Sequence, residues 1–367
     1  MPHMNGNDLR VLVVDDSAMV RQVMQAILGT DRRIVVRAAA DPLIAWGKMQ
    51  KESPDVVITD LEMPRMDGLT FLCKVMAEDP IPTLICSSVA ARGTVACMRA
   101  LHEGAVGIVT KPKLGVGNFL HESAVMLIDA VRSAAAARVH RRENFPVQCK
   151  PKPAASRISL APIPEVAGRI VAIGASTGGT EALTKILTAM PKDSPGIVVV
   201  QHMPELFTAA FAKWLDNICQ ITVKEAEDGD AITSGRAFIA PGNRHMSVCR
   251  SGSQFRIQVT DGPLVSRHRP SVDVLFHSMA RVAGSGALGI ILTGMGDDGA
   301  AGLLEMRDAG AFTIAQNEAT CVVFGMPKEA ILRGAVCQTL PLESISGALI
   351  NYGSHGTGIS REHSIIR

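Results

Sequence analysis

A chain of 367 residues exceeds what one hydrophobic core ordinarily holds, so two domains and a linker are the starting expectation. A formal net charge of +2 with 47% hydrophobic residues describes a soluble globular protein and excludes an electrostatic preference for nucleic acid or an anionic membrane. The eight cysteines show no CxxC spacing, which favours reduced thiols over a disulfide framework or zinc site. MPHMNGNDLR lacks an apolar signal core and no run approaches the roughly 20 apolar residues of a bilayer span, so a cytoplasmic protein is expected.

From Arg10 to about Ala137, short apolar runs alternate with helical patterns: VLVV then 17–28, RIVVRA then 42–51, DVVIT then 68–77, TLIC then 93–103, and VGIVT then 119–135. Five strand-and-helix repeats predict an α/β domain with a doubly wound, five-stranded parallel sheet. Periodicity fails between about Arg138 and Gly168, where five prolines and many basic residues read as a linker. The rhythm returns with RIVAIG, GIVVVQH, ALGIILTG and GAFTIAQ, predicting a second, Rossmann-like α/β domain with a mostly parallel sheet. The expected division is 1–137, a proline-rich basic linker 138–168, a second domain 169–353 and a polar tail 354–367.

Ligands of parallel sheets sit at the carboxyl ends of strands. In the first domain Asp15 and Asp16 follow the first strand, Asp60 the third, Ser87 and Ser88 the fourth, and Lys111 the fifth. Converging carboxylates repel unless a cation compensates, and an all-oxygen site suits Mg²⁺ with a phosphate-bearing ligand. Asp60 can act as nucleophile, Lys111 can neutralise charge on a transferred phosphoryl group, and the Ser87 hydroxyl can donate to its oxygen. Together with DLEMPRMDG and the TKP at 110–112, these residues resemble the receiver domain of two-component response regulators. The resemblance implies that Asp60 is the phosphoacceptor, that Asp15, Asp16 and Asp60 hold Mg²⁺, that Ser87 is the switch hydroxyl, that Lys111 contacts the phosphoryl group, and that a histidine kinase is the phosphodonor.

In the second domain GASTG, residues 174–178, fits the G-x-S-x-G turn that exposes a serine hydroxyl, here Ser176. The stretch lacks the lysine of a P-loop and the second glycine of a dinucleotide fingerprint. The next strand ends in His202, placed as a general base, and ALGIILTG leads into Asp297 and Asp298, either of which can orient the imidazole. The order Ser, His, Asp differs from that of α/β-hydrolases and indicates a distinct serine hydrolase. Backbone N–H groups near Thr177 and in the Gly294–Gly296 loop are the natural oxyanion donors. Arg267, His268 and Arg269 precede a helix start, where they either meet an acidic substrate surface or are solvated.

GASTGGTEAL, VVVQHMP, HRPSVDVLF, LTGMGDDGA and AQNEATCVVFGMP together resemble the catalytic domain of bacterial chemotaxis protein-glutamate methylesterases. The resemblance implies Ser176 as nucleophile, His202 as base, Asp298 rather than Asp297 as orienting acid, and Thr177 and Met295 as oxyanion donors. It implies hydrolysis of glutamate γ-methyl esters on methyl-accepting chemoreceptors, with receptor glutamine deamidation also allowed, and no cofactor for the esterase beyond the receiver's Mg²⁺. One rival is a non-catalytic phospho-switch whose second domain only binds a partner. A DNA-binding output is the other, and it lacks a helix-turn-helix pattern or basic stripe.

Overall fold

The computed structural model describes residues 8–87, 91–112, 117–140 and 169–354. Ser88, most of the expected linker and nearly all of the expected tail lie outside these residues.

The first half alternates β1 (Leu9–Val14), α1 (Ala18–Leu28), β2 (Ile34–Ala39), α2 (Pro42–Met49), β3 (Val56–Asp60), α3 (Gly68–Glu78), β4 (Thr83–Ser87), α4 (Ala91–His102), β5 (Gly107–Thr110) and α5 (Gly117–Ala135). Its five strands form one parallel sheet in the order β2-β1-β3-β4-β5, the doubly wound arrangement expected. Burial on both faces makes VLVV of β1 and VVI of β3 unbroken apolar runs rather than alternations. Helix starts are fixed by side chains: Asp41 accepts from the Leu43 and Ile44 amides to cap α2, and Asp67 from the Thr70 amide to cap α3.

The second half contains β6 (Ile170–Ala175), α6 (Gly179–Thr188), β7 (Gly196–Gln201), α7 (Phe207–Ile218), β8 (Thr222–Glu225), β9 (Arg236–Ile239), β10 (His245–Ser251), β11 (Gln254–Thr260), α8 (Val272–Ala283), β12 (Ala287–Ile291), α9 (Ala300–Asp308), β13 (Phe312–Gln316), α10 (Met326–Leu332), β14 (Gln338–Leu340) and α11 (Leu342–Ser354). Seven strands form a parallel sheet in the order β14-β13-β12-β6-β7-β9-β8. The chain adds β7 on one side of β6 and later returns to add β12 on the other, so strand order reverses beside β6 and opens a crevice at its carboxyl end. β10 and β11 form a separate antiparallel hairpin whose Met246, Val248 and Ile257 share one apolar cluster with Leu275 and Phe276 of α8.

A second apolar cluster joins the halves, running from Met98 and Leu101 of α4 to Phe211 and Leu215 of α7. Among the described residues no helix is long and apolar enough to cross a membrane.

Candidate active site

Two clusters sit at strand carboxyl ends, one in each half. In the first, carboxylate oxygens of Asp15, Asp16 and Asp60 all lie within 4.8 Å of one another. Lys111 Nζ is 2.7 Å from Asp60 Oδ2 and 2.9 Å from Asp15 Oδ2. The other oxygens are held by the main chain: Asp15 Oδ1 accepts from the Ser17 amide and Asp60 Oδ1 from the Leu61 amide, each at 2.8 Å. Burial, together with the charge of Asp15, pushes the Asp60 carboxyl above its usual range despite Lys111. The same two carboxylates outweigh the burial of Lys111 and raise its ammonium. A donor set made only of oxygens, with an acid still raised after one cation has paired with it, fits a further hard cation such as Mg²⁺. Ser87 closes β4 and is buried at this end of the sheet. Gly68 lets the loop after β3 fold back, because a Cβ there would stand 1.8 Å from the Asp60 carbonyl oxygen.

In the second cluster, Ser176 follows β6 and its amide donates to the Thr293 carbonyl at 3.0 Å. The turn packs so closely on the loop after β12 that a Cβ on Gly294 would stand 2.7 Å from Ser176 Cβ. His202 follows β7, and its amide continues the ladder to the Ala175 carbonyl at 3.0 Å. Where the ladder ends, the side chain of Gln201 replaces it: Nε2 donates to the Ser176 carbonyl at 2.9 Å and to the His202 carbonyl at 3.0 Å. His202 Nε2 lies 2.8 Å from Asp298 Oδ2. With Asp298 ionised, Nε2 carries the proton and Nδ1 is the basic nitrogen; among the described residues Nδ1 is buried with no hydrogen-bond partner.

Asp298 is 1% exposed and fully engaged. Oδ2 also accepts from the Val272 amide at 2.8 Å, and Oδ1 accepts from Ser271 Oγ at 2.7 Å and the Asp273 amide at 3.0 Å. These amides are the first turn of α8, so the carboxylate sits at a helix N-terminus. Burial disfavours its charge, but the bonds from His202, Asp273 and Ser271 outweigh burial and hold the carboxyl below its usual range. Asp297 instead turns to surface arginines: its side chain is 44% exposed and pairs with Arg333 at 3.0 Å and Arg267 at 3.7 Å.

The backbone N–H groups of Thr177 and Met295 have no acceptor among the described residues, and both residues border the same cavity as Ser176 and His202. The basic triplet before α8 divides. Arg269 is consumed by Asn243 Oδ1, at 3.0 and 2.7 Å, and by the Gly262 carbonyl. Arg267 remains exposed beside Asp297, and His268 stacks on His202. The anion at this helix start is the protein's own Asp298.

The cavity, of about 210 Å³, lies between the halves. Ser176, His202 and Met295 line one side, and Ile108, Val109 and Met126 of the first half line the other. Ser133 Oγ of α5 is 2.5 Å from Thr177 Oγ1, next to the Ser176 turn, and the Arg138 amide donates to the Val322 carbonyl at 2.8 Å.

Residues 171–349 match the family model described as CheB methylesterase, and residues 11–115 match the response regulator receiver domain. A protein-glutamate methylesterase/protein-glutamine glutaminase of Anaeromyxobacter dehalogenans is 54% identical over 358 residues, covering 95% of this chain and 99% of its own. One from Geobacter metallireducens is 55% identical over 344 residues, covering 92% and 97%. The crystal structure of the Thermotoga maritima CheB methylesterase catalytic domain superposes with a TM-score of 0.50 at 41% identity, covering 51% of this chain and 99% of that one.

Proposed function

This chain belongs to the protein-glutamate methylesterase/protein-glutamine glutaminase family, and from that premise we propose how its residues hydrolyse a glutamate γ-methyl ester. It is a phosphorylation-regulated methylesterase of chemotaxis with a receiver domain, and a non-catalytic switch is not favoured.

Ser176 Oγ attacks the ester carbonyl while His202 Nδ1 takes its proton. Asp298 holds the Nε2–H tautomer and stabilises the imidazolium as it forms. The oxyanion meets the Thr177 and Met295 N–H groups, which need no reorganisation because no acceptor among the described residues occupies them. Collapse expels methanol, protonated by His202, and leaves a glutamyl ester on Ser176. Water deprotonated by His202 then releases glutamate and the free serine. A glutamine γ-amide forms the same acyl-enzyme with ammonia as leaving group, which accounts for the glutaminase in the relatives' name.

The observation that carries this reading is the 2.8 Å bond from His202 Nε2 to a fully engaged Asp298, leaving Nδ1 free to take a proton. Methanol release from methylated chemoreceptor membranes tests it. Ser176→Ala and His202→Gln are each expected to abolish turnover, non-additively, and Asp298→Asn to lower kcat by roughly 10⁴. Full activity in Ser176→Ala overturns the assignment.

In the receiver domain Asp60 accepts the phosphoryl group from a histidine kinase, with Lys111 and Ser87 meeting its oxygens. Asp15, Asp16 and Asp60 hold Mg²⁺, which supplies neutralising charge when bound. The protein works in the cytoplasm on methyl-accepting chemoreceptors. The domain-spanning cavity and the Ser133–Thr177 contact support regulation by occlusion, in which the unphosphorylated receiver limits access of a receptor helix to Ser176. A small phosphodonor is then expected to accelerate receptor demethylation in wild type and not in Asp60→Asn.

A further inference from the structure

The Cβ attachment and the bond from Nε2 to Asp298 fix the two ends of the His202 ring, which leaves rotation about the line joining them as the motion that would swing Nδ1 away from the serine turn. A second contact restrains the plane. The ring of His268 lies against the ring of His202 with centroids 3.8 Å apart and planes within 15°.

The loop that delivers His268 is built for this contact. Val265 and His268 exchange backbone hydrogen bonds, 2.8 Å from the His268 amide and 3.1 Å from the Val265 amide, closing a tight turn. Both central residues are left-handed, Ser266 at φ 49° and Arg267 at φ 68°, where glycine or asparagine is usual. Such strain persists only where the surroundings over-determine it, and it concentrates at functional sites. The turn is anchored at its tip and on its C-terminal side. Ser266 Oγ donates to Asp273 Oδ2 at 3.1 Å, and Arg269 is clamped by Asn243 Oδ1 and the Gly262 carbonyl.

We propose that His268 is a positioning residue of the esterase: its ring clamps the face of His202, so that the proton-accepting nitrogen stays aligned with the serine hydroxyl. The clamp must be uncharged, since a second imidazolium at 3.8 Å would oppose the one formed on His202 during turnover. Burial first, and the neighbouring His202 second, push His268 down to about 3, against the opposing pull of Asp298, so it is neutral at working pH. This role rests on the proposed role of His202 as base.

The test uses the full chain with a small phosphodonor, methylated receptor membranes as substrate, and methanol release to separate kcat from KM. His268→Ala is expected to lower kcat about 30- to 100-fold with KM changed by less than about twofold, the pattern of a misaligned reacting group. His268→Phe, which keeps a stacking face and cannot titrate, is expected to restore kcat to within about threefold of wild type. The low-field proton shared by His202 and Asp298 is expected to be sharp in wild type and His268→Phe and broadened in His268→Ala.

Three results overturn the proposal: wild-type kcat in His268→Ala, a raised KM with unchanged kcat, or a His268→Phe enzyme as slow as His268→Ala. If the alanine variant does not fold, His268→Leu replaces it. Leucine fills space without a planar face, so kcat equal to that of the phenylalanine variant rejects a stacking role and a low kcat supports it. His202→Gln separates the two readings, because full activity there rejects the base assignment itself, whereas loss there beside a wild-type His268→Ala rejects only the clamp.

Discussion

Mild acid is expected to destabilise the catalytic domain through His268. Its ordinary value of 6.5 falls to about 3 in the fold. The unfolded chain therefore binds a proton that the folded chain refuses, so stability is full above 6.5 and falls as pH drops from there towards 3. At pH 5.0 the unfolded histidine is almost wholly charged and the folded one almost wholly neutral. Linkage then gives a loss of about 2 kcal/mol relative to pH 7.5, which the partial exposure of the residue trims to roughly 1–2 kcal/mol. The charged or titratable groups facing the ring are His202, Asp298 and Arg267, and of these only Asp298 favours protonation. The chain has two tryptophans, so Trp46→Phe leaves Trp214 of α7 as the reporter of the second domain. Urea melts in that background are expected to lose about 0.5–1 M in midpoint between pH 7.5 and 5.0. His268→Phe should lose much less. An equal loss in both would refute the reasoning, because the acid sensitivity would then come from elsewhere.

Asp297→Asn is expected to keep receptor demethylation within about threefold of wild type, since its surface pairs with Arg333 and Arg267 are of the kind that contribute little; a loss as deep as that of Asp298→Asn would move the acid to Asp297. Labelling by a small phosphodonor is expected to give a hydroxylamine-labile acyl phosphate that disappears in Asp60→Asn and on chelation of divalent metal, while chelation leaves the unphosphorylated esterase rate unchanged. Gly294→Ala drives a methyl into Ser176 Cβ and Met326 Sδ, and the displaced nucleophile is expected to cost about 10²-fold in kcat, measured by the same methanol assay.

The parallel sheets were legible because strands buried on both faces appear as apolar runs: VLVV, RIVAIG and GIVVVQ each became a strand where expected. The hairpin β10 and β11 was not read, because SVCRSGSQFRIQV is buried on one face only and its alternation is broken by Ser251, Gly252 and Ser253. Strand-end logic brought out Ser176 and His202, whereas the choice of Asp298 over Asp297 came from resemblance, since adjacent aspartates cannot be ranked by spacing. The physical discriminator is the α8 N-terminus, whose amides come from residues 272 and 273 and converge on Asp298 only after folding. Gln201 and His268 were missed as partners of the site. The contact of His268 depends on left-handed backbone at Ser266 and Arg267, residue types that carry no signal for it.

The proposed regulation follows from how the two strand-end sites share one wall. Lys111, bridging Asp15 and Asp60, directly follows β5, and Ile108 and Val109 of that strand line the cavity facing Ser176 and His202. In the proposed switch a phosphoryl group on Asp60 adds charge where Lys111 now pairs, and Lys111 stands between Thr110 and Pro112, which both line the cavity. Ser133 of α5 touches Thr177, which extends the proposed perturbation to the Ser176 turn. The interface resisting this has modest strength. Its Arg138–Glu318 pair is more than half exposed at both ends and contributes little, so among the described residues the apolar contacts of α4 with α7 and of Val322 with the first-half core, with a few hydrogen bonds, hold the halves together. A ligand shifts such an equilibrium only by its differential stabilisation of one arrangement, and each tenfold change in open population needs about 1.4 kcal/mol. Re-pairing the half-buried Lys111 between two carboxylates and a phosphoryl group is an interaction of comparable magnitude, so the proposed switch through access is within energetic reach.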